Sequence, residues 1–390
     1  MKDEYPTGKS DLMTAFMIRS QELTDSGGHW GMINLPSWMS LKSFEALRRD
    51  LLREQRICSM AHLGRGIFGS DFGTVAFVVN NMPSLPTTRG VYRRLFEQHV
   101  EVRSVATIEQ LFLDAEYNRF VVPQADLESI PGAPIVYWLS EKMRKAFLAG
   151  RPLGDLVELL VGLRTGDNNR FMRLWWEIAW DRFGVSVSSL DEASASGCRW
   201  FPYNKGGSFR KWYGNHEHVI NWEFDGKEIE EGLAKRYPYM VPKGKTRLRG
   251  QGRQRYFSPS VSWSKVSSGE PAFRHYPNGF IFDVAGTSIF AEPTHILWVI
   301  LGFSNSEMAL KQLAAVAPTL NYEVGQVGAL PMVDQHGQEV AALASAAVEN
   351  AKRDWDGFET SWQFQSNPLV NKSRHINLEK PSKNQPVDSN

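Results

Sequence analysis

The stretch Gly64–Asn80 restricts the fold more than any other. Gly64-Arg65-Gly66-Ile67-Phe68-Gly69 fits the spacing G-x-G-x-x-G and comes after Arg56–Leu63 (RICSMAHL), which reads as a strand. A dinucleotide site needs that turn to open a helix, so that the helix N-terminus meets the pyrophosphate. The turn leads instead to Thr74–Asn80 (TVAFVVN), a β-branched run that reads as another strand. It therefore joins strand to strand. It is a glycine-lined loop presenting Phe68 or Phe72, and a Rossmann phosphate loop is disfavoured.

The preceding residues extend this pattern. Ser10–Leu23 places Leu12, Ala15, Phe16, Ile18–Arg19 and Leu23 at helical spacing, with Ser10 or Asp11 as cap and Ser26-Gly27-Gly28 as stop. His29–Leu35 reads as a buried strand, and Leu41–Glu54 as a second amphipathic helix capped by Ser40. Helix, strand, helix, strand, strand is α/β material, too little for a complete sheet domain. Asn81–Pro86 reads as a boundary. Beyond it the expected elements are a helix at Gly90–Glu97, a strand at Val100–Val105, a helix at Ile108–Asp114, a strand at Phe120–Val122 and a helix at Trp138–Ala149. Phe171–Phe183 reads as a helix with a tryptophan packing face, and Lys227–Tyr237 as a charged helix. Short strands are expected within Ser258–Tyr276 and Gly279–Val284, and helices at Thr294–Phe303, Glu307–Val316 and Gln338–Trp355. The expected organisation is an α/β region at 1–82, a connecting α/β region at 83–150, an α+β domain at 151–335, a helix at 336–364 and a disordered polar tail at 365–390.

A chain of 390 residues holds two or three domains. The net charge of +1 excludes a histone-like protein but not a local basic patch. Cys58 and Cys198 form no metal spacing; they read as buried small apolar residues, and a reducing cytoplasm is the expected compartment. The longest apolar run, His295–Phe303, is half of a membrane span, so no membrane role is expected. His216-Glu217-His218 lacks a third ligand at a metal-binding spacing and reads as a solvated polar loop. No nucleophile elbow, P-loop or specific carboxylate pair is present, so no catalytic residue is assigned.

Arg199–Gly226 (RWFPYNKGGSFRKWYGNHEHVINWEFDG) mixes Trp200, Phe201, Tyr203, Phe209, Trp212, Tyr213 and Trp222 with Lys205, Arg210 and Lys211 around Gly206-Gly207. Cations neutralise phosphates and aromatic faces stack on bases. The plainer reading is a pair of aromatic core strands with a few surface cations. A second cluster lies just beyond: between Ala234 and Tyr256 stand Lys235, Arg236, Lys243, Lys245, Arg247, Arg249, Arg253 and Arg255, without one acid. In a chain of near-zero net charge, two such neighbours point to a phosphate-facing surface.

Residues 10–80 resemble the second half of the catalytic domain of amino-adenine DNA methyltransferases. Asp11 opens the helix, Gly27–Trp38 (GGHWGMINLPSW) gives the Gly-Gly–strand–Pro-Ser-Trp element, and Gly66–Ala76 carries an aromatic ahead of the last strand. The remainder resembles the target-recognition part of the PglX family of BREX phage-defence methyltransferases, through Gly162–Asn168 (GLRTGDN), Trp200–Gly207 (WFPYNKGG), Arg210–Gly214 (RKWYG) and Phe280–Gly286 (FIFDVAG). The resemblance implies a partial Rossmann-like methyltransferase sheet followed by an α+β target-recognition domain. It implies transfer of a methyl group from S-adenosylmethionine to the N6 of an adenine flipped out of double-stranded DNA. Phe68, or else Phe72, would stack on the flipped base. Lys205, Arg210, Lys211, Trp212, Tyr213, Lys243, Lys245, Arg247, Arg249, Arg253 and Arg255 would contact DNA.

The chain departs from that family in two ways. It contains neither the family's glycine-rich first strand nor its Asn-Pro-Pro-Tyr type motif. It therefore resembles a C-terminal portion that binds no S-adenosylmethionine alone, is inactive alone, and has the missing N-terminal half and other defence proteins as partners. Two alternatives stay open: a stand-alone DNA-binding specificity module, and an interaction subunit of a defence complex without methyl transfer.

Overall fold

A computed structural model describes residues 4–69, 73–97, 101–185, 187–241, 252–267, 269–317, 321–332 and 337–367, with the side chains of Phe68 and Met240 left out. The chain forms two compact units. Unit one comprises Met1–Leu159, Val266–Glu270 and Phe303–Gln335; unit two comprises Leu160–Lys265, Pro271–Gly302 and His336–Asn390.

Unit one begins with α1 (Leu12–Glu22), whose cap is Asp11: its carboxylate accepts from the Met13 amide at 2.9 Å. Then come β1 (His29–Asn34), α2 (Glu45–Glu54), β2 (Arg56–Gly64), β3 (Thr74–Asn80), β4 (Arg89–Arg94), α3 (Val105–Leu113), β5 (Arg119–Pro123), α4 (Gln124–Glu128), α5 (Glu141–Ala149), β6 (Arg151–Pro152) and the start of β7 (Glu158–Leu160). β1 to β5 form one sheet in the order β1-β3-β2-β4-β5. β3 lies antiparallel between β1 and β2, β2 runs parallel to β4, and β5 is antiparallel to β4. The turn at Asn81–Pro86 thus joins strands of one sheet.

Several expectations are corrected here. Gly90–Glu97 is not a helix: Gly90 and Tyr92 point into the core and β4 pairs on both sides. Of the strand expected at Val100–Val105, the described residues show only an isolated bridge from Val102 to Arg65, and Ser104 caps α3 through the Thr107 amide at 3.1 Å. Ser40 does not cap α2; a 3-10 turn at Lys42–Phe44 leads into that helix. The helix expected from Trp138 starts at Glu141, capped by Ser140. β1 is not a buried strand. Trp30 faces the core while Ile33 is exposed.

One face of the sheet is packed. Trp30, Trp38, Phe44, Leu47, Leu51, Ile57, Phe77, Val79, Tyr92 and Tyr137 share its core. Arg48 is buried within it and is tied to four carbonyls: Trp38 and Leu41 through Nη1 (2.8 and 2.7 Å), Gly132 through Nη2 (2.7 Å) and Ala133 through Nε (3.1 Å). Burial brings its pKa down to about 10, so it stays charged at neutral pH. The opposite face exposes Ile33, Val78 and Val121, and a groove runs over it past Gly31, Ala76, Ala61 and Phe112.

Unit two holds α6 (Asn168–Phe171), β8 (Met172–Leu174), α7 (Leu190–Ala195), β9 (Trp200–Asn204), β10 (His218–Asn221), α8 (Glu223–Arg236), β11 (Ser260–Trp263), β12 (Phe273–Tyr276), β13 (Ile281–Phe282), β14 (Ser288–Phe290) and most of α9 (Ile296–Ser304). One sheet runs β13-β9-β10-β8; in a second, β11 pairs with β12 and β14. The chain returns to unit one for α10 (Glu307–Val316), α11 (Val324–Gly328) and β15 (Pro331–Met332), then adds α12 (Gly337–Trp355) to unit two. The helix expected at Phe171–Phe183 is replaced by β8 and two 3-10 turns, which leave Trp176 and Trp180 exposed. Cys58 and Cys198 are half-exposed rather than buried. The tail beyond residue 367 lies outside the described residues.

Candidate nucleic-acid interface

The glycine loop after β2 does join strand to strand. Gly66, at φ +106°, has no room for a side chain: a Cβ there would stand 2.2 Å from the Arg103 carbonyl oxygen. Ile67–Gly69 forms a 3-10 turn before β3. Phe72 and the Phe68 side chain lie outside the described residues.

Unit two brings the distant sequence phrases together. Leu163 bridges to Asp283, and its amide donates to the Phe282 carbonyl at 2.7 Å. β13 runs parallel to β9, setting Ile281 opposite Tyr203 and Phe282 opposite Asn204. At this junction Asp283 is 1% exposed. Its carboxylate accepts from the Tyr203 hydroxyl, lies 2.9 Å from the Lys205 ammonium and accepts from the Ala285 amide at 2.7 Å. Burial, first, and the Asp283 charge, second, push the Tyr203 phenol well above its usual range. Asn204 closes the turn beside it, donating to Ser262 Oγ at 2.7 Å and accepting from the Gly206 amide at 3.1 Å.

Most aromatics of Arg199–Gly226 are core. Phe201, Tyr203, Tyr213 and Trp222 are buried, whereas Phe209 and Phe224 stand on the surface. Trp212 is half-buried at φ +75°, bridged to buried Arg274, whose guanidinium donates to the Arg210 carbonyl at 3.2 Å and Ser264 Oγ at 3.0 Å. Arg210 lies over the Trp355 ring, 4.8 Å from its centroid. Lys211 is half-exposed and, among the described residues, has no carboxylate partner. Arg253 pairs with Asp225, and Arg255 lies 2.8 Å from Glu292. Lys243, Lys245, Arg247 and Arg249 lie outside the described residues. Sequence reasoning missed Arg164, exposed beside the Asp167-capped turn, and the exposed Trp176 and Phe358.

His216 is not part of a solvated loop. It is 2% exposed, with its ring 4.5–4.9 Å from those of Tyr213, Tyr276 and Phe280 and about 6 Å from Trp355 and Trp362. No group of acids, histidines or cysteines among the described residues forms a metal site. Burial, then the cations Arg274, His275, Lys352 and Arg210, hold the His216 pKa well below the ordinary value. Burial lowers that of His275 to about 4. Both folded-state values lie below the unfolded value of about 6.5, so the unfolded chain binds more protons in the interval. Unit two is therefore expected to be fully stable above pH 6.5 and to lose stability as the pH falls toward 4, by up to ~1.4 kcal/mol per pH unit for each histidine. Urea unfolding at pH 7 and pH 5 checks this: His216→Phe should show a shallower fall than the unaltered chain, and an equal fall would refute it.

The Eco57I restriction-modification methylase family matches residues 1–68. The adenine-specific methyltransferase PglX of Lacticaseibacillus casei (strain Zhang) is 37% identical over 376 residues, covering 94% of this chain and 30% of the relative. The adenine-specific methyltransferase BrxX of Escherichia coli O9:H4 (strain HS) is 35% identical, covering 95% of this chain and 29% of the relative. The type IIL restriction-modification enzyme MmeI, solved in complex with DNA, aligns with a TM-score of 0.52 at 11% identity, covering 92% of this chain and 46% of that one. That likeness concerns fold alone. The chain spans about three tenths of the length of the curated relatives. With over a third of its residues shared with them across nearly its whole length, the chain is homologous to a portion, about three tenths, of the adenine-specific methyltransferases PglX and BrxX.

Proposed function

We propose that this chain is the C-terminal portion of a PglX-type, adenine-N6 DNA methyltransferase of a cytoplasmic phage-defence system. Unit one would be the back of a Rossmann-like catalytic sheet, and unit two a target-recognition module for double-stranded DNA. The observation that carries this reading is the 37% identity over 94% of the chain to an adenine-specific methyltransferase. The sheet of unit one supports it. Among the described residues β1 is paired on one side only, and the face bearing Ile33, Val78 and Val121 is open. An apolar face beside a free strand edge is suited to completion by another segment or subunit. Among the described residues, no helix is long and apolar enough to cross a membrane.

S-adenosylmethionine would supply the methyl group. The described residues do not fit it: the glycine loop feeds β3 rather than a helix N-terminus, and the chain has no Pro-Pro pair to hold an adenine amino group. We assign the cofactor and the catalytic motif to the remaining length of the enzyme, and base stacking to Phe68. The basic segment from Lys243 to Arg255, with Lys211, is assigned to DNA.

The test has two parts. Methyl transfer to duplex DNA should require both this chain and the remaining portion; transfer by the remaining portion alone overturns the reading. The logarithm of DNA affinity should fall linearly with the logarithm of salt. Replacing Lys243, Lys245, Arg247 and Arg249 with alanine should flatten that slope by roughly 0.9 for each phosphate no longer neutralised. An unchanged slope removes the loop from the interface. Absence of DNA binding favours the interaction-subunit alternative.

A further inference from the structure

Unit two carries a pocket that shares only Arg210 with the DNA contacts expected from the sequence. It is lined by Trp176, Arg210, Trp355, Phe358, Glu359 and Thr360. Two distant parts of the chain are pinned together to form it. The Trp175 indole N–H donates to the Thr360 carbonyl at 2.9 Å, and Glu177 caps its own turn through the Leu174 amide at 2.7 Å. Trp355 is buried as the floor, while Trp176 and Phe358 stand 48% and 55% exposed at the walls. Two large aromatics left in water at one pocket are uncommon unless something stacks on them.

The polar groups narrow the choice of occupant. The Arg210 guanidinium already lies on the Trp355 face, 4.8 Å from its centroid. Gly214 keeps that position clear, since a Cβ there would stand 2.3 Å from Arg210 Cδ. A cation in the wall disfavours a second cation as ligand, although aromatic rings and a carboxylate would otherwise suit one. Glu359 is exposed and, among the described residues, has no hydrogen-bonding or ion-pair partner. What remains is a planar ligand with an apolar face for Trp176 and Phe358, and N–H donors for Glu359. Guanine has two adjacent donors on its pairing edge, which match the two oxygens of a carboxylate. Arg210, which lines the pocket beside Trp355, supplies a cation for an attached phosphate.

We propose that this pocket binds an unstacked guanine nucleotide, gripping the ring between Trp176 and Phe358 and reading its donor edge with Glu359. The proposal deepens the reading of unit two as a DNA-facing module, but its test stands apart from that reading.

Guanosine, adenosine and cytidine 5′-monophosphates are titrated against the full chain, followed by saturation-transfer NMR or calorimetry, with duplex affinity measured in parallel. The guanine nucleotide should bind most tightly. Trp176→Ala and Phe358→Ala should each weaken it by about tenfold, the scale of one lost stacking face. Glu359→Gln should erase the preference for guanine over adenine while leaving stacking in place. All three side chains are exposed, and circular dichroism checks that the variants keep their fold. Equal binding of the three nucleotides, no binding, or guanosine monophosphate binding untouched by these variants would overturn the proposal. Duplex binding that survives while guanine binding fails sinks the pocket alone. Guanine binding that survives without duplex binding sinks the DNA-reading role and keeps the pocket.

Discussion

Replacing Asp283 with alanine is expected to destabilise unit two by about 3–5 kcal/mol, the scale on which a buried ion pair is broken by removing one partner. The carboxylate is almost completely buried and serves three donors at once: the Tyr203 hydroxyl, the Lys205 ammonium and the Ala285 amide. Alanine leaves all three unsatisfied where water is scarce. The damage should spread, because Asp283 sits where Leu163, β9 and β13 meet. Hydrogen-exchange mass spectrometry reads this directly. Peptides covering β9, β13 and the Leu163 segment should lose protection together, while β1 to β3 stay protected. Asp283→Asn should recover part of the loss, since its one carbonyl oxygen can still accept from the Ala285 amide while its NH2 group replaces the oxygen that served Tyr203 and Lys205. Uniform loss across both units would contradict the assignment.

The second large effect is expected in unit one. Arg48→Met keeps the buried stem and removes the guanidinium that ties down the carbonyls of Trp38, Leu41, Gly132 and Ala133. Those acceptors lie on segments more than ninety positions apart in the chain, so the arginine works as a cross-brace under α2. The expected loss is about 3–5 kcal/mol, from several strong hydrogen bonds to a charged donor. Arg48→Lys should not rescue it, because one compact ammonium cannot span acceptors that a planar fork reaches on both sides. Exchange protection in β1 to β3 should fall for both variants. Near-normal protection in the lysine variant would show that charge alone suffices.

Local pattern made the first strands legible. TVAFVVN has few options besides a strand, and the turn before it carries glycines where the backbone needs them. Asp11 as a cap and Gln338–Trp355 as a helix were equally open to inspection. The failures share a cause. RGVYRR at β4 is polar enough to pass for a helix, and it is a strand because β2 and β5 pair with it from far away. Phe171–Phe183 carries a helix-like apolar load, but β10 draws Met172–Leu174 into a sheet. His216 reads as polar in a polar tripeptide and ends among five aromatic rings that local sequence does not bring to it. The richest aromatic-basic stretch turned out to be mostly scaffold. Its strand β9 forms the junction at Asp283, and composition does not separate a tyrosine that holds a buried carboxylate from one that meets a ligand. Trp176 and Phe358 carried no signal, since neither stands in a motif.

The covalent path of the chain constrains how this protein can change. The polypeptide passes from one unit to the other at 159/160, 265/266, 270/271, 302/303 and 335/336. Neither unit is a contiguous block that recombination can cut out and replace at a single seam. A crossover within residues 160–302 would splice the middle of unit two from one parent onto a closing helix α12 from another. New surface properties should therefore arise by drift in side chains such as Lys211 or Trp176, or by inheritance of everything from 160 onward as one piece.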